Sequence, residues 1–233
     1  MSKGKEKKED NELPVIEIEK GLRKTEEFFK AYKKPLAYTV GGIALVVALY
    51  FGYSEFIYAP KVAEAEEQMY LSQNHFERDS FNLALNGNGT LEPGFKHIVE
   101  DFGSTPSGNL ANFYAGVCCL KLGEYARAID YFDDFKSNDE IFAARALSNI
   151  GACYAELGEL DKAATYFEKA ARKKVNPIAS PQYLMKATAV YMKQQRYDKA
   201  LKIYEEIKYK YPQSNEARTI DKYIERAKIA ASK

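Results

Sequence analysis

The residues able to do chemistry in this 233-residue chain are few: two histidines, His75 and His97, and three cysteines, Cys118, Cys119 and Cys153. Two of the thiols are adjacent and no C-x-x-C occurs, so the spacing gives neither a zinc site nor a thioredoxin-like pair, and three cysteines close no disulfide framework. The thiols read as small apolar core residues on helices. Asp and Glu are plentiful, but along the helical stretches they alternate with Lys as solvated faces. The patterns G-x-x-x-x-G-K-[ST], H-E-x-x-H and G-x-S-x-G are missing. The sequence therefore offers no catalytic residue, no metal site and no cofactor pocket, and it reads as a non-enzyme. Asn88-Gly89-Thr90 is a glycosylation sequon with meaning only in a eukaryotic lumen.

Charge and composition narrow the class further. Lys and Arg number 34 against 33 Asp and Glu, a net charge of +1 that leaves no basic excess for nucleic acid. Apolar residues at 46% are enough for a core, and 14 Gly with 8 Pro suit helices better than a turn-rich β protein. The expected fold is all-α.

One stretch must position everything that follows it. Residues 35–54, PLAYTVGGIALVVALYFGYS, carry no charge. A helix of about 20 apolar residues crosses a hydrocarbon core of about 30 Å, and only a helix satisfies its own backbone there. Tyr38 at one end and Tyr50, Tyr53 and Tyr58 at the other match interfacial aromatic belts. A cleaved signal peptide fits poorly, because a charged tail precedes the run and no small-x-small site follows it. The expected anchor is 35–58. Lys20, Arg23, Lys24, Lys30, Lys33 and Lys34 precede it, whereas Lys61 is the sole cation soon after, so the positive-inside rule places residues 1–34 in the cytoplasm and the remainder across the membrane. Small residues at Ala37 and Gly41, then Ala44, Ala48 and Gly52, form stripes that would let a second membrane helix approach.

In the tail, residues 1–13 are charge-rich and expected to be disordered. Val15, Ile16, Ile18, Leu22, Phe28, Phe29 and Tyr32 are spaced for an amphipathic helix, suited to the inner leaflet of the bilayer, to a membrane partner or to a solvated stop-transfer flank.

Beyond Pro60 the pattern is helical and periodic. Gly116 and Gly151, and Ala128 and Ala163, are each 35 residues apart, and a third copy sets Tyr191, Tyr197, Ala200, Tyr204 and Pro212 in the same frame. The period resembles the tetratricopeptide repeat (TPR), a helix–turn–helix unit of about 34 residues that stacks into an α-solenoid. Small residues would sit where helices cross, aromatics such as Tyr154 and Phe167 would fill the wedge, and Pro212 would end a second helix. Three repeats are expected over 109–213 and a polar capping helix over 214–233. Residues 59–108 read as a degenerate repeat or cap, with a helix at 61–80, a turn at 86–89, a helix at 95–102 and a linker at 103–108.

The resemblance implies partner binding on the inner face of each first helix. In this frame the face comprises Phe113, Val117 and Leu120, then Arg145, Ala152 and Ala155, then Met185, Ala189 and Met192. It is mostly apolar, suited to an apolar helix or an unfolded segment, and the basic clamp of Lys, Arg and Asn that a chaperone's carboxylate terminus would need is absent. The helix at 61–80 could instead fill it, since an exposed apolar strip is a liability.

The order of charged tail, FFKAYKKPLAY, anchor, FGSTPSGNLANFYAGV and repeats resembles the ancillary subunit of the bacterial SecYEG translocon (the YfgM-like family) over nearly the whole chain. That resemblance implies a single-pass inner-membrane protein with a periplasmic repeat domain, its partners being SecYEG subunits and periplasmic chaperones or translocating polypeptides. A periplasmic envelope-assembly or division scaffold, and an organellar protein-import receptor, remain the alternatives.

Overall fold

A computed structural model describes residues 13–89 and 92–232, with side chains from Lys30 onward. The expectations for residues 1–12 and for Thr90 of the sequon lie outside these described residues, and the apolar register from Val15 to Phe29 lies outside the described side chains. The chain divides into two units, residues 1–59 and 60–233.

In the first unit, helix α1 (Leu13–Tyr53) passes through Pro35, and a five-residue π-helix, Ser54–Tyr58, follows. Proline lacks the N–H that would close a helical bond, but it does not end α1 here. Thr39 Oγ1 donates to the Pro35 carbonyl at 2.5 Å. Residues 13–34 and 35–53, expected to belong to separate segments meeting at 34/35, form one helix. From Lys30 this helix is long and apolar enough to cross a membrane, and its most apolar 18-residue window has no buried residue.

The second unit is all helical apart from turns and one isolated bridge, Gly87 to Pro93, among the described residues. After α2 (Ala59–Glu77) come α3 (Phe81–Asn86) and α4 (Phe95–Phe102). Three helical pairs follow: α5 (Pro106–Leu122) with α6 (Tyr125–Asp134), α7 (Glu140–Glu156) with α8 (Leu160–Lys173), and α9 (Ala179–Lys193) with α10 (Tyr197–Lys210). From α3 onward each helix packs on its chain neighbours, as in a linear repeat array.

Within each pair the turn is made by one left-handed residue: Gly123 (φ 80°), Gly158 (φ 79°) and, in the third pair, Gln195 (φ 60°). Such a residue ends a helix by turning its carbonyls toward the next segment, and Gly does so without a Cβ penalty. The second crossing is equally specific. Gly116 faces the Phe132 ring and Gly151 the Phe167 ring, so closely that a Cβ on either glycine would meet ring carbons within 3.0 Å. The 35-residue glycine spacing is thus the spacing of two helix crossings.

Two regions depart from the sequence reading. Residues 103–108, expected as a linker, are half helix: Thr105 caps α5, accepting from the Gly108 amide at 3.0 Å and donating to the Phe102 carbonyl at 2.8 Å. Gly108 is buried where a Cβ would strike that carbonyl, so the glycine marks tight packing, not flexibility. The C-terminal stretch, expected as one polar helix, forms α11 (Asn215–Arg218) and α12 (Ile220–Ala231), and α12 buries Ile220, Ile224 and Ala227. Ser214 caps α11 through its side chain, and Thr219 breaks the helix before Ile220.

Two core clusters result. One gathers Met69, Phe95, Ile98, Phe113, Phe132 and the three cysteines. The other gathers Phe167, Leu184, Tyr191, Tyr204, Ile207 and Ile220.

Candidate partner-binding surface

The heptad-like rows 110, 113, 117, 120 on α5, 141, 145, 148, 152, 155 on α7 and 178, 182, 185, 189, 192 at α9 follow helical geometry, since residues three and four apart stack on one face. The structure places their members differently. Phe113 is only 5% exposed and belongs to the core, its ring 5.8 Å from Phe132, 5.4 Å from Phe135 and 5.6 Å from Phe142. Val117, Leu120, Ala152, Ala155, Met185 and Met192 are half-buried, while Arg145 and Ala189 are exposed. The strip is widened at one end by Ile141, Val175 and Ile178, all exposed. That end is held by an ion pair from Lys174 to Glu140 at 3.0 Å and by Asn176, whose Oδ1 accepts from the Ile178 and Ala179 amides.

Helix α2 does not leave its own apolar face bare. Phe76 packs edge-on against Phe81, Phe95 and Tyr114, Lys61 reaches the Phe102 ring, and Ser72 Oγ donates to the Pro93 carbonyl at 2.8 Å. These contacts run to α3, α4 and α5.

Lys186, Ser148 and Tyr183 also join this surface, and the inner-face reading missed them. Lys186 Nζ donates to the Ser148 hydroxyl at 3.1 Å, across from α9 to α7. The same ammonium lies 5.7 Å from the Phe167 ring centre and 6.0 Å from that of Tyr183. Desolvation there lowers the Lys186 pKa. Burial raises the Tyr183 pKa, while the nearby Arg145 guanidinium opposes that rise. Lys186 stands one position beyond the heptad row, which is why spacing alone passed over it; the signal was a lysine in a helix without a single carboxylate.

On the outer side, Tyr191 donates to Glu168 Oε1 at 2.6 Å, and Arg172 bridges Glu168 and Glu206 at 2.7 and 3.5 Å. This network ties α8 to α9 and α10, and burial, with the hydrogen bond to Glu168 added, pushes the Tyr191 pKa up to about 12. The thiols are likewise shut in: burial raises Cys118 and Cys153 to about 12 and Cys119 to about 11.

With the crossings and turns in view, comparison with known families is decisive for the helical pairs. Residues 96–140, 144–174 and 182–214 each match the tetratricopeptide repeat. The helical pairs are tetratricopeptide repeats. The first match begins at Lys96, so it takes in α4, which the expected 109 boundary left outside. No curated protein matches the chain. Tetratricopeptide arrays are protein-interaction modules and typically non-enzymatic scaffolds.

In the first unit, Ala37, Gly41, Ala44 and Ala48 are exposed and Gly52 is half-buried. A Cβ built on Gly41 or Gly52 meets no atom within 4 Å.

Proposed function

We propose that the chain is a single-pass membrane protein, spanning at 35–58 with residues 1–34 cytoplasmic, and that its repeats at 109–213 act in the periplasm beside the SecYEG translocon. There they would hold periplasmic chaperones or emerging polypeptides. The observation that carries this reading is an unburied, membrane-length apolar helix in the same chain as a tetratricopeptide array. Tethering raises the local concentration of whatever the repeats bind, so even a weak groove becomes effective. The strip from Val117 to Met192 supplies apolar contact, and Met185 and Met192 can repack around varied side chains. The small-residue face through Gly41 and Ala48 is the proposed docking face for a translocon helix.

The test is affinity purification of the tagged full-length chain from detergent-solubilised bacterial membranes, beside Gly41→Leu and Ala48→Leu. Recovery of translocon subunits, lost in the bulky variants, supports docking through the anchor. Recovery of envelope-assembly proteins without translocon subunits would transfer the chain to the scaffold reading. Digestion of residues 61–233 by protease added to spheroplasts is expected, and their protection would overturn the topology.

A further inference from the structure

The first helices of the three pairs share a charge pattern that the second helices lack. No Asp or Glu occurs in α5 or α9, and α7 has them only at its ends, as Glu140 and Glu156. The same three helices carry Lys121, Arg145, Lys186 and Lys193. Carboxylates are gathered instead on the second helices, at Asp130, Asp133 and Asp134 of α6, Asp161 and Glu168 of α8, and Asp198, Glu205 and Glu206 of α10. Arg172 and Lys210 find acid partners there. Lys186 has a hydroxyl and two aromatic rings as its neighbours and no ion pair among the described residues. Lys186 is exposed, so an incoming carboxylate can reach its ammonium beside the Ser148 hydroxyl and the two rings. Arg145 lies one helical turn before Ser148, the residue that receives the Lys186 hydrogen bond, so both cations border the same stretch of α7.

Apolar surface continues in both directions from these cations. Toward the start of the helices lie Ile141, Val175 and Ile178, and toward the other end lie Ala152, Ala155, Ala189 and Met192. A chain terminus held at the cations would leave half of this strip empty. An internal residue would let its flanks cover both halves.

We infer that the strip on α5, α7 and α9 receives an apolar polypeptide segment bearing an acidic side chain, whose carboxylate sits between Arg145 and Lys186. The inference rests on the reading of the strip as the partner groove and adds the partner's chemistry to it. Residues 145 and 186 act by charge, and the flanking aliphatic and Met side chains by burial.

The test uses the full-length chain in lipid nanodiscs and three fluorescein-labelled peptides of 15 residues, rich in Leu, Ala and Gln. The first has one central Glu and an amidated end, the second has Gln in its place, and the third has central Gln and a free C-terminal carboxylate. Binding is followed by anisotropy, with empty nanodiscs subtracted. The Glu peptide is expected to bind about fivefold or more tightly than the amidated Gln peptide at low salt, as charge-assisted hydrogen bonds exceed neutral ones. Lys186→Met and Arg145→Met, which keep apolar stems, are expected to abolish that preference and leave the amidated Gln peptide's affinity within about twofold. Equal affinity for the two amidated peptides, or a preference that survives both substitutions, overturns the inference and leaves the groove reading standing. Tightest binding of the free-terminus peptide also overturns it. Failure of all three peptides to bind removes the groove itself, and the inference with it.

Discussion

The Phe167 ring lies over Gly151 so closely that a Cβ there would come within 3.0 Å of two ring carbons and 3.2 Å of the Ala163 carbonyl oxygen. Gly151→Ala gains helix propensity but drives a methyl into a ring and a backbone that are both buried. The net expected loss is about 1–2 kcal/mol, since overpacking outweighs the propensity gain. Gly116→Ala would bring its Cβ to 2.8 Å from the Phe132 ring, which is itself buried, and is expected to cost at least as much. Thermal unfolding of both variants, followed by circular dichroism, checks the order.

The third pair turns on Gln195 at φ 60°, where the first two pairs use glycine. A side chain in the left-handed region is strained, so Gln195→Gly is expected to stabilise by about 0.5–1 kcal/mol. A lowered midpoint for this variant in urea unfolding would contradict the assignment.

Thr105 joins α4 to α5 by two buried hydrogen bonds, one accepted from Gly108 and one donated to Phe102. Thr105→Val keeps the shape and deletes both, leaving the Gly108 amide without its acceptor. The expected cost is about 1–2 kcal/mol, and Thr105→Ser, which keeps the hydroxyl, should recover most of it.

Cys118, Cys119 and Cys153 hold their protons in the fold at about 12, 11 and 12, above the ordinary thiol value of 9.0. The folded chain therefore binds these protons more tightly than the unfolded one. That contribution is complete below pH 9.0 and is lost as pH rises toward 12. Urea titrations at stepped alkaline pH should show stability falling across that window. Thiol reagents at pH 8 are expected to leave the native protein unmodified and to label all three cysteines after unfolding.

The all-helical fold and its period were legible because the first two repeats spend the same residue on the same crossing: Gly116 and Gly151 against Phe132 and Phe167. The break at Thr219 was not, since it depends on where Ile220 finds its core and no glycine or proline announces it. Gly103 and Gly108 misled for a related reason, as a glycine needed for close approach looks in sequence like one needed for freedom. At the candidate surface the heptad rows were readable from spacing, but Phe113 turned inward because Phe135 and Phe142 flank it from the neighbouring helices. Lys186 escaped because its importance lies in what surrounds it, a hydroxyl from α7 and rings from α8 and α9.

The two core clusters share a wall. Helix α7 gives Ala146, Ile150 and Cys153 to one and Ala152 and Ala155 to the other, and Tyr154 touches both. A load applied at the C-terminus can thus peel α12, α10 and α9 away while the cluster around Phe95 and Phe113 keeps its packing. The molecule would yield in halves, with its first half left as a template on which the second re-forms.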